Sequence, residues 1–234
     1  MRRFRWLLII PALVIALVSG GTWAYINLIK EDAPERLAFA DTTTTTAAED
    51  TDVPAVSTGE GVDGTWTATE GSEAGYRVKE VLFGQSAEGA GRTSDVAGTL
   101  VISGTTVSAA EVIVDLTTVE SDENRRDNQF RGRIMDVANH PTATFKLTEP
   151  IDFGALPADG TDITVPATGT LTLRGNTRTV TVNLQARRVG STIEVLGTIP
   201  IVFADYDIPN PSFGQVRTED NGEIEFLVVF SRSA

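Results

Sequence analysis

The chain has 234 residues, with 19 basic and 32 acidic side chains, a formal net charge of −13, one histidine and no cysteine. The lack of cysteine excludes disulfides, thiolate metal sites and a cysteine nucleophile. The negative charge argues against nucleic acid as a partner, because binding to the phosphate backbone is dominated by basic residues. The length allows one domain of about 150 to 200 residues with additional segments.

The N-terminal segment, residues 1–30, is predicted to be a transmembrane anchor. Residues 7–29 carry no charge and are long enough for a helix across a bilayer core of about 30 Å. Arginines precede this run and acidic residues follow it, which predicts a cytoplasmic N-terminus and an extracytoplasmic C-terminal domain. Small residues at 18–21 also fit a cleaved signal peptide, and cleavage there would make the protein secreted.

Residues 31–64 are predicted to be a disordered linker. They contain a run of five threonines, nine acidic residues and one arginine, without hydrophobic periodicity. Such a segment cannot bury enough apolar surface to offset the entropy of ordering it. As a flexible coil it would span about 30 to 35 Å and let the following domain float near its membrane.

Residues 65–234 are predicted to form an all-β domain. Apolar and polar side chains alternate with a period of two, so that Leu171 and Leu173 share one face of a strand and Val180 and Val182 share one face of the next. About eight such strands are separated by turn residues. A sheet of this size must pack on a second sheet or close on itself, and closure into a barrel removes the exposed edges.

Residues 124–137 interrupt the alternation and predict a short helix near one end of the barrel. Phe130, Ile134 and Val137 recur at helical spacing and would lie on one face. The helix should end before His140, because a residue that precedes proline is disfavoured in helical geometry.

The same region contains a basic cluster, Arg125, Arg126, Arg131 and Arg133, in an otherwise acidic domain. Beside a barrel mouth these arginines could hold a phosphate or carboxylate head group through charge-assisted hydrogen bonds. Neighbouring carboxylates could equally neutralise them at the surface, where ion pairs contribute little stability.

Neither a catalytic residue nor a metal site is predicted. His140 is the only imidazole, so a Ser-His-Asp mechanism would have to use it. No serine lies in a GxSxG turn, and a histidine before proline fits an ordinary loop residue better. Asp205 and Asp207 could recruit a hard cation weakly, but alternation in a strand would place both on one solvated face.

The order of five motifs resembles the YceI family, exported lipocalin-like proteins that bind polyisoprenoids or other long amphiphiles. These motifs are YRVKEVLFG, VIVDLTTVESDENRRDNQF, RIMDVANHPTATFKL, GTLTLRGNTRTVTVNL and FADYDI. The likeness covers residues 64–232. It implies an elongated, lipocalin-like barrel of eight antiparallel strands with the hydrocarbon of the ligand along its interior. Departures from the family pattern at Gln129, Phe130 and Asp207 leave the identity of the ligand open.

A barrel of eight strands has an interior that is either filled by side chains or holds one ligand. Modest inward-facing side chains should leave room for a hydrocarbon chain, whereas larger neighbours would fill the space. The predicted ligand-binding residues, taken from strand positions and from the helical segment, are Val78, Val101, Val112, Val114, Arg125, Arg126, Phe130, Ile134, Met135, Phe145, Leu171, Leu173, Val180, Val182 and Phe203.

The predicted function is therefore membrane-tethered binding of an isoprenoid or fatty-acid-like lipid, in transport, storage or stress protection, without catalysis. No cofactor other than this lipid is expected. The membrane is a partner through the N-terminal helix, nucleic acid is not, and a homodimer is a further expectation. The alternative is a structural or interaction module of the cell envelope whose barrel is solid.

Overall fold

A computed structural model describes the chain over residues 33–40, 61–82, 84–214 and 216–233. The predicted membrane anchor and the middle of the predicted linker, residues 41–60, lie outside this range. Among the residues described, no helix combines the length and the apolar character needed to cross a bilayer.

The strands in chain order are β1 (Gly64–Ala68), β2 (Glu73–Leu82), β3 (Gln85–Thr93), β4 (Val96–Ser103), β5 (Thr106–Asp115), β6 (Glu120–Ser121), β7 (Thr142–Leu147), β8 (Ile151–Asp152), β9 (Ile163–Leu173), β10 (Asn176–Val189), β11 (Thr192–Val202), β12 (Val216–Thr218) and β13 (Asn221–Arg232). The helix α1 (Asn124–Gln129) continues into a π-helical turn (Phe130–Ile134), and 3-10 turns cover Leu116–Thr118 and Phe203–Tyr206.

Eight strands form a closed antiparallel ring in the order β1, β4, β5, β7, β9, β10, β11, β13 and back to β1. The ring closes where Trp66 of β1 pairs with Arg232 of β13. Residues 223–227 in the other half of β13 pair with β2. β1 and β2 therefore pair one after the other with the same edge of β13, and residues 69–72 separate them. The prediction of an all-β, eight-stranded antiparallel barrel is confirmed.

Alternation along each strand places the core inside the ring. In β9, Ala167, Leu171 and Leu173 are buried, whereas the intervening Thr170 and Thr172 are more exposed. This inward face forms the core because successive side chains of a strand point to opposite faces of the sheet.

The helical segment closes one end of the barrel. Phe130 stacks on Tyr76 with ring centroids 5.0 Å apart, which adds to the burial of both rings. Met135 and Val137 are buried in the same apolar cluster. We call Phe130, Met135 and Val137 the plug, and the end of the barrel that they fill the closed end.

The predicted short helix is present but is shorter than the 124–137 segment. After α1, the amide of Met135 donates to the carbonyl of Phe130 at 2.9 Å, five residues back, which is the bonding of a π-turn. Asp136 then adopts a left-handed conformation with φ of 49° and ends the helix. Because of this turn, Met135 joins the buried face that the helical spacing assigned to Phe130, Ile134 and Val137.

Residues 33–40, which we call the strap, lie against the outer face of the barrel. Arg77 donates to the Pro34 carbonyl at 2.6 Å and Arg187 donates to the Ala40 carbonyl at 2.9 Å. The guanidinium of Arg187 also lies over the Phe39 ring at 4.4 Å. The strap belongs to the predicted linker, and arginines of the barrel donate to two of its backbone carbonyls. Disorder of the linker stays a prediction.

Buried charges hold the outer face beneath the strap. Arg77 is 3% exposed and Glu225 is 2% exposed, although both project from the outside of the ring. Glu225 pairs with Arg77 at 3.3 Å and with Arg92 at 2.8 Å. Arg92 reaches Glu225 across Gly75, where an added Cβ would lie 2.8 Å from the Arg92 Cγ. A glycine at this strand position therefore permits the ion pair.

We expect the Phe39 ring and the Arg187 guanidinium to stabilise the strap together. In a double-mutant cycle of Phe39→Ala and Arg187→Ala, the coupling in free energy of unfolding should be about 0.5 to 1 kcal/mol, as for a cation–π pair near the surface. Denaturant titration of the four proteins measures it. The control cycle pairs Arg187→Ala with Phe213→Ala, whose ring contacts Arg125 instead, and should show no coupling. Equal coupling in both cycles would contradict the strap contact.

Burial raises the pKa of Tyr76 well above its usual value; the Arg126 guanidinium acts in the opposite direction, and Asp127 and Glu80 raise the pKa by smaller amounts. An unfolded tyrosine loses its proton near pH 10, whereas the folded Tyr76 keeps it. Its contribution to stability is therefore complete below about pH 10 and is lost as the pH rises further. Chemical denaturation between about pH 9 and 11.5 should show a fall that Tyr76→Phe reduces by up to about 1.4 kcal/mol per pH unit. An identical pH dependence in the two proteins would contradict the burial of the hydroxyl.

Candidate ligand-binding cavity

The interior of the barrel contains a cavity of about 170 Å³, counted as the space open to the centre of a water-sized sphere. This is more than ten times the space that one water needs, by the measure of about 10 to 15 Å³ per molecule. It extends along β9 from Ile163 to Leu171 and along β11 from Ile193 to Ile199. The barrel therefore has room for a ligand and is not packed solid.

The wall of the cavity is apolar. Of its 31 lining residues, only Thr144, Arg187 and Arg188 have polar side chains. The remaining residues are alanine, valine, leucine, isoleucine, phenylalanine and proline. A cavity lined in this way stays dry and takes apolar ligands. Its chemistry suits a hydrocarbon chain, since it offers almost no hydrogen-bond partner along its length.

Two glycines shape this wall. An added Cβ at Gly197 would lie 2.5 Å from the ring of Phe226, and one at Gly169 would lie 2.5 Å from the ring of Phe145. Both rings line the cavity. Glycine inside a strand often marks such a close approach. Each glycine thus lets a phenylalanine lie back against the sheet, which keeps the ring out of the cavity.

The cavity reaches the surface at one end, which we call the mouth. Leu156 lines the cavity and is 41% exposed. It belongs to the loop between β8 and β9, which is fastened to the β10–β11 turn by two hydrogen bonds. The Gly190 amide donates to Asp159 at 2.9 Å, and the Gly160 amide donates to the Arg188 carbonyl at 2.7 Å.

The opposite end of the cavity stops before the plug. Leu171, Val182 and Ile199 are the last lining residues on their strands in that direction. The next inward-facing residues, Leu173 and Ile201, belong to the packed apolar cluster that contains the plug. In the described part of the chain the route for a ligand therefore runs through the mouth, and its apolar end would point towards the plug.

Twelve of the fifteen predicted ligand-binding residues divide into two groups. Val112, Val114, Phe145, Leu171 and Val182 line the cavity. The second group lies instead in or against the packed cluster at the closed end and consists of Val78, Phe130, Ile134, Met135, Leu173, Val180 and Phe203. Contact between any of these residues and a ligand stays a prediction.

Val101 does not face the interior, and its predicted orientation is wrong. Leu100 and Ile102 on either side of it are buried and line the cavity. The three residues are all apolar, so the sequence gives no alternation here from which to choose the inward face. The pairing of Leu100 with Trp66 decides it, because both side chains join one buried cluster.

Arg125 and Arg126 are on the helical segment at the closed end and do not line the cavity. Arg126 pairs with Glu80 at 3.4 Å and with Asp122, and Arg125 lies 4.5 Å from the Phe213 ring. The predicted placement of these arginines beside a mouth is therefore wrong. The charge of Arg126 is balanced by carboxylates of the protein, which is the alternative that the sequence left open.

The other two arginines of the cluster also bond to the protein. Arg131 donates to the Val119 carbonyl at 2.9 Å, and Arg133 donates to the Asn210 carbonyl at 3.0 Å. These bonds tie the helical segment to the body of the barrel, so the basic cluster has a structural part in holding the plug.

His140 lies in the turn before β7, and an added Cβ at Gly175 would be 2.8 Å from its ring. Over the described part of the chain, no hydrogen bond joins this ring to a serine or a carboxylate, and no three acidic or histidine side chains are grouped to hold a metal ion. Asp205 and Asp207 lie in and after a 3-10 turn. The expected strand alternation of this pair is wrong.

The residue of the mouth that sequence reasoning missed is Arg188. The inward series of β10 runs through Val182, Leu184 and Ala186 to Arg188, two residues apart at each step. Extending the period of two to the end of the strand would have found a charged side chain on the inner face.

Several solved structures share this fold, and two of them illustrate their likeness to the chain. The polyisoprenoid binding domain from Saccharophagus degradans, implicated in plant cell wall breakdown, has a TM-score of 0.59 and 18% identity, over 72% of this chain and 98% of that chain. BcnA of Burkholderia cenocepacia has a TM-score of 0.50 and 22% identity, over 67% of this chain and 95% of that chain. No curated protein sequence matches the chain.

The model of the YceI-like domain matches residues 66–230. These residues begin in β1 and end in β13, so the match covers the closed ring almost from its first strand to its last. The chain therefore belongs to the YceI family.

Proposed function

We propose that the barrel binds one long-chain amphiphile, an isoprenoid or fatty-acid-like lipid, with its hydrocarbon in the cavity and its head at the mouth. The observation that carries this proposal is the apolar cavity, open at one end and closed by the plug at the other. A solid-barrel envelope module would not need such a space. The description of the Saccharophagus relative as polyisoprenoid binding agrees with this ligand class.

The affinity in this proposal comes from burial of the hydrocarbon. Each methylene removed from water contributes about 0.8 kcal/mol, and part of the sum is offset by the lost freedom of the bound chain. Binding should therefore strengthen with chain length until the cavity is full. The wall would accept saturated and isoprenoid chains alike, since it has few polar groups that distinguish them.

The proposed role is transport, storage or protection of the lipid without turnover. The charge pattern around residues 7–29 supports an extracytoplasmic barrel tethered to a membrane. In such a setting the mouth would exchange lipid with the adjacent bilayer. A homodimer stays a prediction.

Filling the cavity should abolish binding. Leu184→Trp places a larger ring inside the barrel and should lower the affinity for a fluorescent polyene fatty acid by at least about tenfold, because the ring occupies the space of several methylenes. The matched control is Gln185→Trp, at the adjacent exposed position, which should bind like the wild type. Fluorescence titration of the delipidated proteins measures the affinities.

Native mass spectrometry of the undelipidated proteins gives a second readout. A lipid adduct should accompany the wild type and Gln185→Trp and be missing from Leu184→Trp. Circular dichroism checks that all three proteins are folded, since overpacking can destabilise a core by about 1 to 3 kcal/mol. Unchanged affinity in a folded Leu184→Trp protein would count against the cavity as the binding site.

A further inference from the structure

Arg188 is a charged side chain at the mouth of an apolar cavity. It occupies the last inward position of β10 and pairs across the sheet with Ile193, which also lines the cavity. Its side chain is 21% exposed. Most of the side chain is therefore withdrawn from water, and a charge in such a place interacts more strongly with a partner than it would at the surface.

The described residues offer this guanidinium few hydrogen-bond acceptors. The Arg188 Nε is buried and has no hydrogen-bond partner among the described residues. Its nearest carboxylate oxygen belongs to Asp159, 3.5 Å away on a side chain that is 56% exposed. That same oxygen already accepts a hydrogen bond from the Gly190 amide at 2.9 Å. A buried donor without an acceptor is costly, and an arginine has five N–H groups to satisfy.

The neighbouring Arg187 shows the contrast. It points to the outer face, donates to Glu194 at 2.8 Å and to the Ala40 carbonyl at 2.9 Å, and stacks on Phe39. Two consecutive arginines of one strand thus have different environments. The outward arginine finds acceptors in the protein for its Nε and for one terminal nitrogen, whereas the inward one retains a buried Nε–H that nothing in the described chain accepts.

We infer that the mouth selects amphiphiles with an anionic oxygen head group, a carboxylate or a phosphate monoester, and that this head group takes the place of Asp159 as the partner of Arg188. This inference rests on the proposed function. A planar guanidinium binds such groups through two parallel charge-assisted hydrogen bonds. The tail of the same molecule would lie in the cavity, whose wall begins beside Arg188.

The arrangement makes Asp159 a competitor of the ligand. Asp159 lies on the loop between β8 and β9 that borders the mouth, and its bond to Gly190 keeps it close to Arg188. The substitution Asp159→Asn removes the charge but keeps a side-chain oxygen that can accept the hydrogen bond from the Gly190 amide. Loss of the carboxylate that lies 3.5 Å from Arg188 should favour an anionic ligand.

The test compares three probes with the same sixteen-carbon tail: hexadecanoic acid, hexadecyl phosphate and hexadecanol. Each displaces a fluorescent fatty acid from the delipidated wild type, Arg188→Gln, Arg188→Lys and Asp159→Asn at about pH 8, where the acid heads are ionised. The control Arg178→Gln removes an exposed arginine of the same strand that does not line the cavity.

The wild type and Arg178→Gln should bind at least one of the two anionic probes about tenfold more tightly than hexadecanol. Arg188→Gln should lose this preference and keep the affinity for hexadecanol. Arg188→Lys should retain part of the preference, and Asp159→Asn should increase it. A preference for only one anionic probe identifies the head group as carboxylate or phosphate and supports the inference.

Equal binding of the alcohol and both anions by the wild type would overturn the inference and leave the proposed function intact. Loss of hexadecanol binding in a folded Arg188→Gln protein would also overturn it, because Arg188 would then support the wall and not a head group. Failure of all three probes to bind the wild type would instead contradict the proposed function itself.

Discussion

Closure of the sheet between β1 and β13 is the constraint on which the rest of the structure depends. The pairing of Trp66 with Arg232 leaves no free edge in the ring, and a closed ring of eight strands has a fixed, narrow interior. Access to that interior is then possible only along the barrel axis. With the plug at one end, the orientation of any bound amphiphile follows from the fold alone.

The same strands perform two tasks because their faces alternate. The inner face of β10 forms the wall of the cavity, whereas its outer face carries Arg187 and the contacts to the strap. Charge is rare inside and dense outside. Arg188 is an exception to this division. It occupies the last inward position of β10, where the interior meets solvent, and a charged group at that boundary does not disrupt the core.

The regular part of the fold was predictable from the sequence. The period of two in residues 171–182 fixes both the strands and their inward faces, and closure follows because a large one-sided sheet has to cover its apolar surface. The plug was recognised as a break in this pattern. Its location was predictable only as one end of the barrel, since spacing along the chain does not say at which end a cavity opens.

Other features depend on tertiary contacts that local patterns do not record. Val101 lies between two apolar neighbours, and only its pairing across the sheet decides its face. The cavity exists because Gly169 and Gly197 accommodate aromatic rings from neighbouring strands. The strap has no sequence pattern of its own, because the barrel contacts mostly its backbone carbonyls. Every residue type has the same backbone carbonyl, so these contacts leave no trace in the sequence.

Recognition of the strap through its backbone has a consequence for where this folding unit begins. The family match starts at residue 66, whereas residues 33–40, which lie upstream of it, cover part of the outer face of the barrel. A fragment cut at the start of the family match would lack the Pro34 carbonyl to which Arg77 donates and the Ala40 carbonyl to which Arg187 donates. The contacts that complete the outer face of the barrel therefore begin about thirty residues upstream of the family match.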